Sequence, residues 1–395
     1  MGFNCIYLNP IFSAGEYHKY DIWDYYHVDP CLGTDEDFGC LADEVHRRDM
    51  HLIIDGVFNH CSWHFFAFED VVQNGESSVY KDWFYDLEFP VVRPEDEELP
   101  TYSCFAYEKK MPKLNTANKE VQQYFADVSR HWIEKYHIDG WRLDVANEVS
   151  KEFWRHFRQA ARAINPEIVL IGEVWENARV WLKGDMFDSV MNYEFRGLCR
   201  DFFALGKMDG ETFASSMAKM YYRYPDHVSD CQLNLLDSHD VPRFLSLCSG
   251  DLKKWKLAFL VLAFYPGIPS LFYGDEKGIE GIKEFAYRSP MKWEERNETA
   301  AFVKEVMKIR KKFVKSGMKG RLYVPENQKN LLILERRDEN EVIEIRMNTG
   351  VDLCGMDLCG MEEKEESTVL YGEGISEESI GASGFVINYR KEASE

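Results

Sequence analysis

Seven short apolar runs, starting near residues 3, 51, 138, 168, 187, 231 and 269, alternate with helical stretches. Repeated strand–helix units with buried strands imply a parallel sheet, and a closed barrel of that kind has eight strands. The sequence therefore predicts an α/β fold, a (β/α)8 TIM-type barrel one strand–helix unit short. Two further observations complete the architecture. The stretch 61–117 is too long for a simple loop and reads as an inserted loop domain. From about Gly320 the pattern changes to β-like runs, which reads as a C-terminal antiparallel β domain. The expected parts are barrel over 1–60, insertion over 61–117, barrel over 118–319 and β domain over 320–395.

In chain order, Phe3 to Leu8 is a strand candidate closed by Asn9-Pro10. Tyr17 to Asp21 and Asp24-Tyr25-Tyr26 read as the loop that follows. Asp35 to Asp49 is a helix with Thr34 as its N-cap. His51 to Asp55 is the next strand and runs into Gly56-Val57-Phe58-Asn59-His60. Cys61 to Pro112 has no clear period, many aromatics, and an acidic run at Glu95 to Glu98. Apolar residues at three- and four-residue steps make Asn118 to Tyr136 helical. Ile138 to Val145 is a strand, and Lys151 to Ile164 is the helix after it. Strands Ile168 to Val174, Phe187 to Tyr193, Cys231 to Leu236 and Pro269 to Tyr273 follow, with helices Gly210 to Tyr222 and Trp255 to Phe264 among them. Thr299 to Lys315 is a long helix. Leu331 to Glu335 and Val342 to Met347 flank the polar turn Asp338 to Glu341, as in a hairpin. The doubled Asp-Leu-Cys-Gly-Met within Val351 to Met361 suggests no function.

Composition narrows the class. The chain has 395 residues, 45% hydrophobic and 14% aromatic, enough for a large core. Flat rings suit sugar faces but are also ordinary core residues. A net charge of −21 argues against nucleic acid and fits a neutral substrate. No run of about 18 apolar residues predicts a membrane span. Ten cysteines without a CxxC, and no secretory pattern at the start, predict free thiols and a cytoplasmic protein.

The chemistry sits at strand ends. Asp144, Glu173 and Asp240 each close a strand of one parallel sheet, which directs their side chains to one rim. Strand alternation puts Arg142 on the same side as Asp144. Two carboxyl groups about 5–5.5 Å apart run retaining glycoside hydrolysis, one as nucleophile and one as acid, then base. The acid must keep its proton near neutral pH. Glu173, beside Val174 and Trp175, suits that task, and Asp144, beside Arg142, should stay ionised. Asp240 would hold sugar hydroxyls and steady the cationic transition state. His60 and His239 end other strands and are placed to bond sugar hydroxyls, although singly each is more readily structural than functional.

The four segments Asp55-Gly-Val-Phe-Asn59-His60, Gly140-Trp-Arg142-Leu-Asp144-Val-Ala-Asn-Glu148, Gly172-Glu173-Val-Trp175 and Ser238-His239-Asp240 resemble the motif regions of the α-amylase superfamily, glycoside hydrolase family 13, in its order and spacing. Met111-Pro112-Lys113-Leu114-Asn115 and Val145 to Glu148 resemble its neopullulanase, cyclomaltodextrinase and maltogenic amylase group. The resemblance implies that Asp144 is the nucleophile, Glu173 the acid/base and Asp240 the transition-state stabiliser. It further implies that Arg142 orients Asp144, that His60 and His239 bind the sugar, and that Tyr20 stacks on it. Asp55 would shape the site, and the insertion would lean over the cleft. The missing barrel unit would then be the first strand and helix. The expected partner is an α-glucan oligosaccharide, with no nucleic acid, no membrane and no required cofactor; calcium near Asn59 lacks an oxygen cage, and self-association is left open. One departure is Glu176, where the group carries His; a negative charge there would raise Glu173. The implied activity is retaining hydrolysis of α-1,4-glucosidic bonds with some transglycosylation. The alternatives are a glucanotransferase or a weakly active glucan-binding protein.

Overall fold

The computed structural model describes residues 1–93, 99–293, 298–355, 367–377 and 379–392. The acidic run 95–98 and the second copy of the doubled pentapeptide lie outside the described residues. The chain forms two compact units, Asn4–Val190 and Met1–Phe3 with Met191–Glu395.

In the first unit the elements are β1 (Cys5–Leu8), β2 (Phe12–Ala14), β3 (Ile22–Val28), α1 (Asp35–Arg47), β4 (His51–Gly56), α2 (Phe66–Asn74), α3 (Lys119–Tyr136), β5 (Gly140–Leu143), α4 (Lys151–Ile164), β6 (Val169–Gly172) and the start of β7 (Ser189–Asn192). β1, β4, β5, β6 and β7 pair in that order, all parallel. The main helices start where the sequence offers a cap. Thr34 and Asp37 form a capping box on α1. Asn118 accepts from the Glu120 and Val121 N–H groups on α3, and Ser150 from Phe153 on α4. Trp154 of α4 donates its indole N–H to the Ala146 carbonyl at 2.8 Å. This ties the helix to the loop that follows β5.

Two segments differ from the sequence expectation. Asp24-Tyr25-Tyr26 lies in β3, which pairs antiparallel with β2, and not in a loop. Tyr25 is fully buried there, and register shifts break the alternation that would have marked the strand. The aperiodic stretch contains α2, whose N-cap residue, Phe65, makes no side-chain capping bond. Without a polar cap, the usual start signal is missing.

In the second unit the rest of β7 leads into α5 (Tyr193–Cys199), α6 (Gly210–Tyr221), α7 (Asp226–Ser229), β8 (Leu233–Leu235), α8 (Phe244–Leu247), α9 (Leu252–Phe264), β9 (Ile268–Ser270), α10 (Glu284–Tyr287) and α11 (Glu298–Phe313). β7 pairs β8 and β8 pairs β9, again parallel. With these, the described residues hold seven parallel strands of the barrel type. The strands β10 (Lys319–Tyr323), β11 (Leu331–Arg337), β12 (Glu341–Asn348), β13 (Cys354–Gly355), β14 (Ser367–Ile375) and β15 (Ser379–Lys391) build the antiparallel sheet at the end of the chain.

α9 is buried at every position from Trp255 to Phe264. A helix apolar all round must be covered on all sides. The cover includes Val303 and Val306 of α11, Leu332 and Leu334 of β11, Ile343 and Ile345 of β12, and Phe385 and Ile387 of β15. Its last carbonyls are met by two arginines, the buried Arg336 and the half-buried Arg310. Arg336 donates to Phe264 O at 3.3 Å and to Met318 O at 2.8 Å. Arg310 donates to Ala263 O and, at 3.0 Å, to Gly267 O. Burial, then the neighbouring Arg336 cation, pushes the Arg310 guanidinium down to about 10.

The nine described cysteines are free thiols. Among the described residues no helix is long and apolar enough to cross a membrane.

Arg336→Met keeps most of the stem but removes both donors from buried carbonyls. It should lower unfolding stability by about 1–3 kcal/mol, measured as a shift of the urea midpoint at constant slope.

Candidate active site

One guanidinium organises the carboxylates of the first unit. Arg142, in β5, is 1% exposed. Its Nη1 lies 2.9 Å from Asp55 Oδ2 and 2.9 Å from Asp144 Oδ1, and its Nη2 lies 2.8 Å from Glu173 Oε2. The strands dictate this. Asp55 in β4 is the register partner of Arg142. Asp144 stands two residues on, on the same side, just past β5. Glu173 stands just past β6, whose Ile171 is opposite Arg142.

Further donors complete the cluster. The Tyr7 hydroxyl donates to Asp55 Oδ2 at 2.6 Å, and the Tyr20 hydroxyl to the same oxygen at 3.2 Å. Val145 adopts φ 43°, a left-handed conformation that a β-branched residue rarely takes. This turn aims the Val145 N–H at Glu173 Oε2, 3.0 Å away. The Trp175 indole N–H donates to Glu173 Oε1 at 2.9 Å.

The proton balance differs from the sequence expectation. Burial alone would raise Glu173, but Arg142, the Val145 N–H and the Trp175 indole outweigh it and hold its carboxyl below the usual value. The sequence suggested a raised acid because Trp175 reads as an apolar neighbour, whereas its N–H turns inward as a donor. Glu176 is exposed and is not among the groups that set Glu173. Asp55 is instead the carboxyl that burial pushes up, against the pull of Arg142 and Tyr7.

His60 is fully buried, with its ring stacked on Phe105 at 4.5 Å and 6°. Its Nδ1 lies 3.3 Å from Asn59 Nδ2, while His60 Nε2 and Asn59 Oδ1 have no hydrogen-bond partner among the described residues. Burial lowers the imidazole to about 3, offset only in part by the Tyr20 carbonyl. The ring is therefore neutral at physiological pH.

Likeness to known proteins agrees with this geometry. A family model described as the alpha-amylase catalytic domain matches residues 1–319. The chain belongs to the alpha-amylase family. It is 41% identical over 353 residues to a cyclomaltodextrinase of Geobacillus thermopakistaniensis, covering 88% of this chain and 59% of that protein. Against neopullulanase 2 of Thermoactinomyces vulgaris the identity is 42% over 353 residues, covering 88% of this chain and 60% of that one. A solved cyclomaltodextrinase superposes with a TM-score of 0.91 at 36% identity, over 99% of this chain and 68% of that one. The chain thus spans about three-fifths of the length of the curated relatives it matches.

Of the seven site residues read from the sequence of this alpha-amylase family member, Tyr20, Arg142, Asp144 and Glu173 share the cluster around Asp55. His60 lies beside the Tyr20 backbone. His239 and Asp240 belong to the second unit, with His239 Nε2 and Asp240 Oδ2 3.1 Å apart. Arg288 donates to His239 O at 2.7 Å and lies 3.6 Å from Asp240 Oδ1. Sequence reasoning missed Tyr7, Trp175 as a donor, and Phe105. Tyr7 alone carried a signal, a polar tip inside an apolar strand run. Asn59 Oδ1 is a buried orphan oxygen, but no group of three or more His, Cys, Asp or Glu side chains among the described residues is arranged to hold a metal. The residues do not fit a calcium cage, and no step runs through one.

A second buried guanidinium, Arg243, stands three residues after Asp240 in the chain. Arg243 donates to Tyr273 O at 2.6 Å, Tyr287 O at 2.9 Å and Asp275 Oδ1 at 3.0 Å, and packs over the Phe272 ring at 4.0 Å. Burial, then the neighbouring Asp237, pushes Asp275 well above the ordinary carboxylate value.

Arg142→Ala would leave three buried carboxyl groups without their cation. It should reduce stability by about 3–5 kcal/mol, read from the denaturant midpoint, and abolish any activity of the cluster. Asp275 has a folded pKa above its unfolded one. Its contribution is therefore complete below the unfolded value and is lost as pH rises through the folded value. Asp275→Asn should flatten that decline, seen as a weaker fall of Tm on the alkaline side than in the unmodified chain.

Proposed function

We propose that this chain hydrolyses α-1,4-glucosidic bonds in maltooligosaccharides, cyclodextrins or pullulan with retention of configuration, and transfers part of the product to sugar acceptors. The observation that carries this reading is the pair Asp144 and Glu173 on one guanidinium, at 2.9 and 2.8 Å. The two carboxyl groups are close enough to hydrogen-bond. An inverting pair stands about 6.5–9.5 Å apart to admit a water, so this proximity favours retention. Relatives named cyclomaltodextrinase, neopullulanase and maltogenic alpha-amylase, 40–42% identical, support the substrate class.

In this reading Asp144 attacks the anomeric carbon while Glu173 protonates the departing glycosidic oxygen. A glycosyl–Asp144 ester forms. Glu173, now ionised, takes a proton from water, which attacks the same carbon and frees Asp144. A sugar hydroxyl in place of water gives transfer. Arg142 keeps Asp144 anionic. Glu173 becomes the acid when bound sugar excludes water from it, which adds to the desolvation already opposing its charge. Asp240 steadies the positive sugar, and His60, His239 and Tyr20 bind it. The 61–117 segment forms a wall of the cleft. The chain works in the cytoplasm without a cofactor, and its net charge of −21 disfavours nucleic acid.

The test follows reducing ends and product sizes from β-cyclodextrin, maltoheptaose and pullulan. Ring opening with retained anomeric configuration by NMR, reduced on the order of 10³-fold or more in Asp144→Asn and Glu173→Gln, is the expected result. Turnover that persists in both variants, or inverted product, would overturn the roles of these two carboxyl groups.

A further inference from the structure

Residues 237 to 243 form the loop that carries His239 and Asp240, and both ends of this loop meet Asp275. At the start, Asp237 is 3% exposed, and its Oδ2 accepts from the Phe244 N–H at 2.7 Å, which closes the loop onto the first residue of α8. At the end, Arg243 is fully buried, and its Nη1 donates to Asp275 Oδ1 at 3.0 Å. The Asp275 carboxyl also hydrogen-bonds that of Asp237. One buried side chain, arriving from beyond β9, therefore joins the two feet of the loop. Between the feet there are further ties. The Asp240 N–H donates to Ser238 Oγ at 3.2 Å, and the same hydroxyl meets Tyr193 OH at 3.0 Å. Arg288 donates to His239 O at 2.7 Å.

Two carboxyl groups bond each other only if one of them holds a proton, because an ionised carboxylate accepts and cannot donate. Asp237 Oδ1 is buried and meets no donor among the described residues until a hydrogen stands between the two carboxyl groups. Asp237 Oδ2 is already used by Phe244. Asp275 Oδ1 faces the Arg243 donor, which leaves its other oxygen to carry the hydrogen. This geometry puts the proton on Asp275 and makes Asp237 Oδ1 its acceptor. The direction of the Asp275 shift agrees, since burial, then Asp237, holds it well above the ordinary carboxylate value. A neutral acid donates to one foot of the loop and accepts from the other. Neither a carboxylate nor an apolar side chain does both.

We propose that Asp275 is a positioning residue for Asp240: as a neutral acid it clasps both feet of the 237–243 loop and so holds the Asp240 carboxylate in one place. This rests on the α-glucan reading of the site, in which Asp240 steadies the positive sugar. Asp275 acts through the loop and takes no part in bond making.

The experiment compares Asp275→Asn, which keeps a donor for Asp237 and an acceptor for Arg243, with Asp275→Ala, which removes both. On maltoheptaose, Asp275→Ala should lower kcat on the order of 10²-fold with KM little changed, and Asp275→Asn should recover most of that loss. In the Asp240→Asn background, Asp275→Ala should have little further effect on the residual rate. Infrared spectra at neutral pH should show the carbonyl band of a buried protonated carboxyl that disappears in Asp275→Asn. Full kcat in a folded Asp275→Ala, an additive loss with Asp240→Asn, a kcat as low in Asp275→Asn as in Asp275→Ala, or a carbonyl band unchanged by Asp275→Asn would overturn the proposal. Should Asp275→Ala fail to fold, the rate of Asp275→Asn and its infrared band decide. Absence of glucan turnover in the unmodified chain would overturn the α-glucan reading and, with it, the use of Asp240. The infrared band would still decide whether Asp275 holds the proton. The NMR signals of the His239 ring, expected to shift in Asp275→Ala and to stay in place in Asp275→Asn, would still decide whether it holds the loop.

Discussion

The interaction on which the first unit depends is the Arg142 ion among Asp55, Asp144 and Glu173. Three carboxyl groups cannot share a dry space as anions without a cation between them. The guanidinium suits the task because it is planar, permanently charged and able to donate in several directions at once. Its position follows from backbone register, since Asp55 and Arg142 are Cα partners on adjacent strands. The apolar strands bring the backbones together, and Arg142 then fixes where the charges lie. Around it the aromatic layer, including Phe58 against Phe125 at 4.8 Å and against Phe157 at 5.1 Å, leaves little room to relax.

The second unit handles a buried guanidinium differently. Arg243 finds carbonyls and ring faces, with Asp275 as its one carboxylate among the described residues. Asp237 Oδ2 accepts from the Phe244 N–H at 2.7 Å. The two aspartates therefore oppose each other's charge, and burial together with Asp237 holds Asp275 well above the ordinary carboxylate value. One arrangement gathers carboxyl groups about a cation, and the other sets an acid with a raised pKa beside a cation already occupied by carbonyls. Asp144, Glu173 and Asp237 stand just past the ends of parallel strands, where side chains leave the packed sheet.

Much of this was legible in the sequence because parallel strands are buried on both faces and read as short runs of Val, Ile and Leu. The residues that close those runs, Asp144 and Glu173, were found by position alone. What escaped was whatever depends on pairs distant in sequence. Tyr7 and Asp55 are 48 residues apart, and Phe105 meets His60 across 45. The left-handed turn at Val145 is invisible from a residue type that disfavours it. The direction of the Glu173 shift escaped for a different reason: an indole two residues from an acid is either a hydrophobic wall or a donor, and only the rotamer decides.

The boundary near Gly320, so plain in composition, is not a boundary in the core. α9 belongs by sequence to the barrel, yet part of its cover is the inner face of the terminal sheet, and Arg336 of that sheet meets its last carbonyls. The two pieces share one interior. A recombination event that exchanged the terminal sheet for an unrelated module would have to supply a matching apolar face and a matching cation. Inheritance through this junction is therefore constrained to whole units, and the sheet is better regarded as half of a helix's environment than as an appendage.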